Sequence, residues 1–117
     1  MTSTEFNIFC FTRQYIKNGE LPKHKDRESC EISLTIHLDS DQSCDWPIWI
    51  TTPSGENKSI LFKHGDAMLY FGCNAWHWRE KYSGTWYNQL FLHYVTSDGP
   101  NSFRYFDRKP LITRQII

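Results

Sequence analysis

EISLTIHLD, Glu31 to Asp39, alternates strictly between polar and apolar side chains. A period of two marks an extended strand, because successive side chains leave opposite faces of the backbone. Ile32, Leu34, Ile36 and Leu38 share one face; Glu31, Ser33, Thr35, His37 and Asp39 share the other. The same kind of signal recurs in both directions along the chain. Upstream lie Phe6–Phe11, a polar stretch (TRQYIKNGE) with Asn18-Gly19 as turn chemistry, and Leu21–Asp26, entered through Pro22 at an edge. Downstream lie Trp46–Thr52, Ser59–Lys63, Ala67–Phe71, Ala75–Lys81 and Thr85–Val95, separated by Asp39–Ser43, a Pro53–Asn57 loop, His64-Gly65-Asp66 and Ser83-Gly84.

That gives eight short strands with almost no helical periodicity. The expected fold is all-β: a jelly roll, or double-stranded β-helix, of two antiparallel sheets facing each other around a pocket. Residues 1–117 form a single domain with no internal repeat. In the tail, FRYF (residues 103–106) and PLITRQII (residues 110–117) are candidates for edge strands.

Composition narrows the function. Hydrophobic residues make up 39% of the chain, and 13 basic residues cancel 13 acidic ones. A neutral domain with no basic run lacks the electrostatic footprint of a general nucleic-acid binder. No stretch approaches the ~18 apolar residues of a membrane-spanning helix. MTSTEFNIFC has neither a basic start nor a long apolar stretch, so no signal peptide is expected. Cys10, Cys30, Cys44 and Cys73 lack C-x-x-C spacing. They read as reduced, buried thiols of a cytoplasmic protein.

His-x-Asp occurs twice, as His24-Lys25-Asp26 and His37-Leu38-Asp39. Either pair could present an imidazole and a carboxylate on one side of an extended chain. With a distant histidine, such a pair makes a two-histidine, one-carboxylate site with open positions, the pattern of non-haem iron(II) oxygenases. Strand counting separates the two. In an eight-stranded jelly roll the second and seventh strands are neighbours. Four strands intervene between His24-Asp26 and His77, which puts His77 on strand seven; only three would intervene for His37-Asp39. The expected metal ligands are therefore His24, Asp26 and His77, with Asp39 a turn residue.

HKD, GDAMLYF, AWHWRE and QLFLHYV, in that order, resemble the core of the 2-oxoglutarate- and iron(II)-dependent dioxygenases, and most nearly the prolyl-4-hydroxylase-like branch. The resemblance spans roughly Phe6 to Val95. It implies that His24, Asp26 and His77 hold Fe(II), and that 2-oxoglutarate, O₂ and auxiliary ascorbate serve hydroxylation of an unactivated C–H bond in a prolyl or other peptidyl residue, or in a small molecule. Family members place a cation on the eighth strand to grip the far carboxylate of 2-oxoglutarate. Here that stretch is Trp86-Tyr87-Asn88-Gln89, so Arg79 is the first candidate for cofactor binding, followed by His93 and His37. The alternative is a non-catalytic cupin-like barrel that binds a metal, sugar or peptide. Family members also cover the larger sheet with helices that this sequence lacks. The Ile32–Leu38 apolar face therefore needs the tail (Pro110–Ile117) or a second copy of the chain over it. The five tryptophans are read mainly as core.

Overall fold

In the computed structural model the alternating stretch becomes a strand whose polar side faces inward. The structure describes residues 4–27, 30–96 and 112–116, and the side chains of 10–27 and 30–94. Ser33 and Thr35 are fully buried and His37 nearly so, whereas Ile32, Leu34 and Ile36 are half-buried and Leu38 is exposed. Buried hydroxyls are costly unless hydrogen-bonded. Both find partners across the sheet: Ser33 Oγ lies 2.8 Å from His93 Nδ1, and Thr35 Oγ1 accepts from Gln89 Nε2 at 2.5 Å. This face lines the interior of a barrel.

Nine strands are present among the described residues: β1 Thr4–Ile16, β2 Leu21–His24, β3 Ile32–Ser40, β4 Ile48–Thr51, β5 Asn57–Ile60, β6 Ala67–Tyr70, β7 His77–Arg79, β8 Trp86–Thr96 and β9 Ile112–Ile116. One sheet has the order β6-β3-β8-β1-β9 and the other β2-β7-β4-β5. Without β9 this is the jelly-roll order, which sets β1, β3, β6 and β8 in one sheet against β2, β4, β5 and β7 in the other and pairs β2 antiparallel with β7. The chain is an all-β jelly roll.

Several boundaries differ from the sequence expectation. β1 continues through Thr12–Ile16, because Phe11, Arg13 and Tyr15 pair in register with Phe91, Gln89 and Tyr87 on β8. The turn is Lys17-Asn18, closed by Gly19 N–H donating to Ile16 O at 2.8 Å, and Asn18 takes a positive φ of 68°. β2 ends at His24, leaving Asp26 outside the strand, and β5 begins two residues early at Asn57. β3 runs through Asp39, which follows a β-bulge and accepts from Asn88 Nδ2 at 2.9 Å, so Asp39 is not a turn residue. The tail contributes β9, which pairs parallel to β1 at the sheet edge. That strand extends the sheet instead of lying across it; residues 103–106 fall outside the described residues.

Two aromatic clusters close the interior. Tyr15, Leu21, Trp46, Tyr82 and Tyr87 form one, with Tyr15 set edge-on to Trp46 at 4.7 Å. Phe11, Cys30 and Phe91 form the other, the two rings stacked at 4.8 Å. Each buried ring contributes about 1.5–3 kcal/mol by removal from water, and each good ring pair about 0.5–1.5 kcal/mol more. Of the tryptophans only Trp46 belongs to this core; Trp49 and Trp78 stack with each other half-buried, and Trp76 is exposed. The four cysteines are free thiols, and of these only Cys30 is fully buried. No helix among the described residues is long and apolar enough to cross a membrane.

Candidate metal centre

His24 and His77 are brought together by a defect in β-pairing. Leu21 pairs with Arg79 and His24 with His77, so three residue steps on β2 match two on β7. A regular strand would put Leu21 and His24 on opposite faces; the irregularity, at Pro22 and Lys23, turns His24 to the inner side. Asp26 then follows beyond the strand end, where its backbone N–H donates to Gly72 O at 2.8 Å. Gly72 is buried against it. A Cβ there would run into Asp26 Oδ2 and lie 2.6 Å from both Cys30 O and Ser33 Oγ.

The three side chains converge. Asp26 Oδ1 lies 3.1 Å from His24 Nε2 and 3.2 Å from His77 Nε2. One ligand atom from each residue lies within 4.8 Å of the other two. The other ring nitrogens are committed: His24 Nδ1 to Pro22 O at 2.7 Å and His77 Nδ1 to Ala75 O at 2.8 Å. A carbonyl can only accept, so both Nδ1 atoms carry the hydrogen. In the neutral rings both Nε2 lone pairs therefore point at a carboxylate oxygen. Three electron-rich atoms facing one another need a cation between them, either a proton on an imidazole or a metal ion. The donor set is one that divalent iron, zinc or cobalt accepts, and ring nitrogens locked by backbone carbonyls are the usual support of a metal-bound histidine.

Without metal, the proton does the work. Burial raises the cost of the Asp26 charge, but hydrogen bonds from His24 and His77 outweigh it and hold the carboxyl well below the usual range. The Asp26 hydrogen bond in turn raises the pKa of His24, against partial desolvation. His77 is buried at 2% exposure, with the Tyr70 ring edge-on at 4.9 Å.

The other expected residues divide into two groups. His93 lies beside the His24–Asp26–His77 cluster, bonded to Ser33 and set alongside the stacked Phe11–Phe91 pair, 5.7 Å from the Phe11 ring and 6.3 Å from the Phe91 ring. Its burial lowers its pKa to about 4, so the ring is neutral. Arg79 and His37 lie deeper, around Tyr87. Arg79 is 2% exposed; its Nη1 donates to Trp46 O at 2.8 Å, and its Nη2 lies 3.4 Å from Tyr87 Oη and Gln89 Oε1. Trp46 and Tyr87 flank the guanidinium at 4.4 and 4.8 Å. Among the described residues no carboxylate pairs with it, an unusual situation for a buried cation. His37 stacks on Tyr87 at 4.0 Å, and its Nδ1 meets Asn88 O at 3.4 Å.

A cavity of about 250 Å³ opens onto the His24–Asp26–His77 cluster. Its wall includes Arg13, Lys25 and Arg27, with Asp26 its single carboxylate among the described residues. Sequence reasoning did not assign these three cations, nor Ser33, Cys30 and Gly72, to the site. Arg13 lies in the polar stretch TRQYIKNGE, which the sequence places outside the first strand. Gly72 had one visible signal, a glycine two residues past the end of β6 and five before His77.

No family model matches the chain, and no curated protein matches it. Among solved structures, a cupin domain from Bordetella pertussis Tohama I is similar at 10% identity, with a TM-score of 0.48 over 81% of this chain and 92% of that one. A likeness of that size adds nothing to the strand order, on which the jelly-roll assignment rests.

Proposed function

We propose that this jelly roll is an Fe(II)- and 2-oxoglutarate-dependent oxygenase that hydroxylates an unactivated C–H bond of a small molecule or peptide. The observation that carries the reading is the convergence of His24 Nε2, His77 Nε2 and Asp26 Oδ1, with both Nδ1 atoms locked to carbonyls. Three protein ligands on one side of an octahedral ion leave adjacent positions for a chelating co-substrate and O₂. Iron bound there would supply the coupling of 2-oxoglutarate and O₂ to substrate oxidation, yielding succinate, CO₂ and the hydroxylated product.

The chain's own residues do the positioning. Arg79 offers a buried, planar cation for the far carboxylate of 2-oxoglutarate, with Gln89 and Tyr87 beside it. Its placement on β7 takes the role that the related enzymes give to a β8 cation. Phe11 and Phe91 form an apolar wall of the cavity, and Arg13, Lys25 and Arg27 bias that cavity toward anionic ligands.

The test is an anaerobic titration with iron(II) and 2-oxoglutarate, following the weak visible absorption of the metal chelate. The band is expected in the wild type and absent in His77→Ala. In Arg79→Met the 2-oxoglutarate affinity is expected to drop about 10- to 150-fold, the 1.5–3 kcal/mol of a charge-assisted hydrogen bond. No band, together with unchanged metal affinity in His24→Ala and His77→Ala, rejects the reading. A second reading, a cupin-like barrel that binds metal without turnover, is favoured by the uncharged Tyr87 and Gln89 at the inward positions of β8. It predicts metal binding with no 2-oxoglutarate band.

A further inference from the structure

The Asp26 carboxylate has two oxygens, and the cluster above uses one. Oδ2 lies 3.4 Å from Ser33 Oγ, on the side where Cys30 and His93 are buried. Asp26, Cys30 and His93 each offer one ligand atom, and these three atoms also lie within 4.8 Å of one another. They come from separate places: the segment after β2, the turn before β3, and β8. Cys30 is held by its N–H donating to Arg27 O at 2.9 Å. His93 packs alongside the stacked Phe11–Phe91 pair and meets Ser33 Oγ at Nδ1, so the ligating role falls to Nε2 in the proposed site. Ser33 Oγ also reaches Cys30 O at 3.3 Å, so one hydroxyl ties the donor segments together.

We propose that Asp26, Cys30 and His93 form a second metal position, for a thiophilic divalent ion such as zinc or iron(II), bridged through Asp26 to the His24–His77 position. A thiolate and an imidazole select such ions over magnesium or calcium, which prefer all-oxygen sites. A bridging carboxylate sets two ions about 3.5–4 Å apart, close enough to act on one bound ligand. The inference shares Asp26 with the function proposed above but does not require turnover or 2-oxoglutarate.

Cobalt(II) titration of the chelator-treated, reduced full chain under anaerobic conditions tests it, because a cobalt–thiolate bond produces a near-ultraviolet charge-transfer band. The expected result is two cobalt ions per chain, with the thiolate band present. Cys30→Ser is expected to lose the band and one equivalent, while His77→Ala keeps the band. His93→Gln, checked for folding by circular dichroism, gives a second route by weakening the band without removing the sulfur. A single cobalt per chain, two cobalt ions without a thiolate band, or a band that survives Cys30→Ser overturns the second position. None of these outcomes depends on whether 2-oxoglutarate binds.

Discussion

The tripeptide His-x-Asp occurs twice in this chain, and the two copies fold to different ends. In His24-Lys25-Asp26 the strand stops at the histidine, the aspartate swings back, and both side chains meet His77. In His37-Leu38-Asp39 a bulge falls between histidine and aspartate, so Asp39 turns to Asn88 while His37 stacks on Tyr87. His37 lies four residues along β3 from Ser33, about 13 Å at the rise of an extended strand. It therefore cannot share an ion with the residues around Ser33. The lesson is that spacing in sequence creates only the possibility of a shared ligand. Which neighbour strand pairs with the tripeptide, and where the strand ends, decides it.

The largest expected effect tests that difference directly. His77→Ala removes one of three ligands and should cut metal affinity at least about 100-fold, whereas His37→Ala should leave it within about two-fold; isothermal titration with cobalt(II) reads both. Equal losses in the two variants would erase the distinction between the copies. Next in size is Gly72→Ala. Its new methyl group would displace Asp26, so metal affinity should fall about 10- to 100-fold and stability by about 1–3 kcal/mol in urea unfolding. An unchanged affinity would mean that Asp26 does not need its present position.

The far side of the second copy gives a smaller, purely structural effect. Tyr82 Oη donates to Asp41 Oδ1 at 2.5 Å and lies 3.0 Å from Trp86 O, joining the turn after β3 to β8. Tyr82→Phe should cost about 1–2 kcal/mol of stability and leave cobalt binding untouched. Smallest is a difference in titration between His24 and His37 in metal-free protein. The Asp26 hydrogen bond raises the pKa of His24, while burial lowers that of His37. Folded His24 takes its proton first, so its stabilising contribution is present below the ordinary value of 6.5 and fades as pH rises through its higher folded value. For His37 the unfolded chain takes the proton first, so stability falls as pH drops below 6.5. NMR titration of the two imidazole signals should show midpoints on opposite sides of 6.5, and addition of metal should suppress the His24 titration alone.

Most strands were legible, because period-two alternation survives wherever one face is buried and the other is not. β3 and β8 are the clear cases. The reading of β1 ended too early because Thr12, Arg13 and Gln14 look like loop residues. They are strand residues because β8 supplies a full antiparallel partner, and tertiary pairing outweighs weak local preference. The alternation showed that Ser33, Thr35 and His37 share a face; that this face turns inward is decided by the partners Ser33 and Thr35 find on β8. Among the described residues the tail does not lie over the outer apolar face. Ile112–Ile116 takes the open edge of β1, where backbone groups needed pairing, in line with the edge strand expected within residues 110–117.

By itself the sequence determined the class of fold and the short list of candidate ligands. Alternation, turn chemistry and strand count are local properties, and they suffice to bring the second and seventh strands side by side. Only the tertiary structure decided which atoms meet. The β2 irregularity, the side-chain-free space at Gly72 and the carbonyls that lock His24 and His77 depend on contacts between segments far apart in the chain. Ligand geometry is set by such contacts to within fractions of an ångström, and no single stretch of sequence contains them.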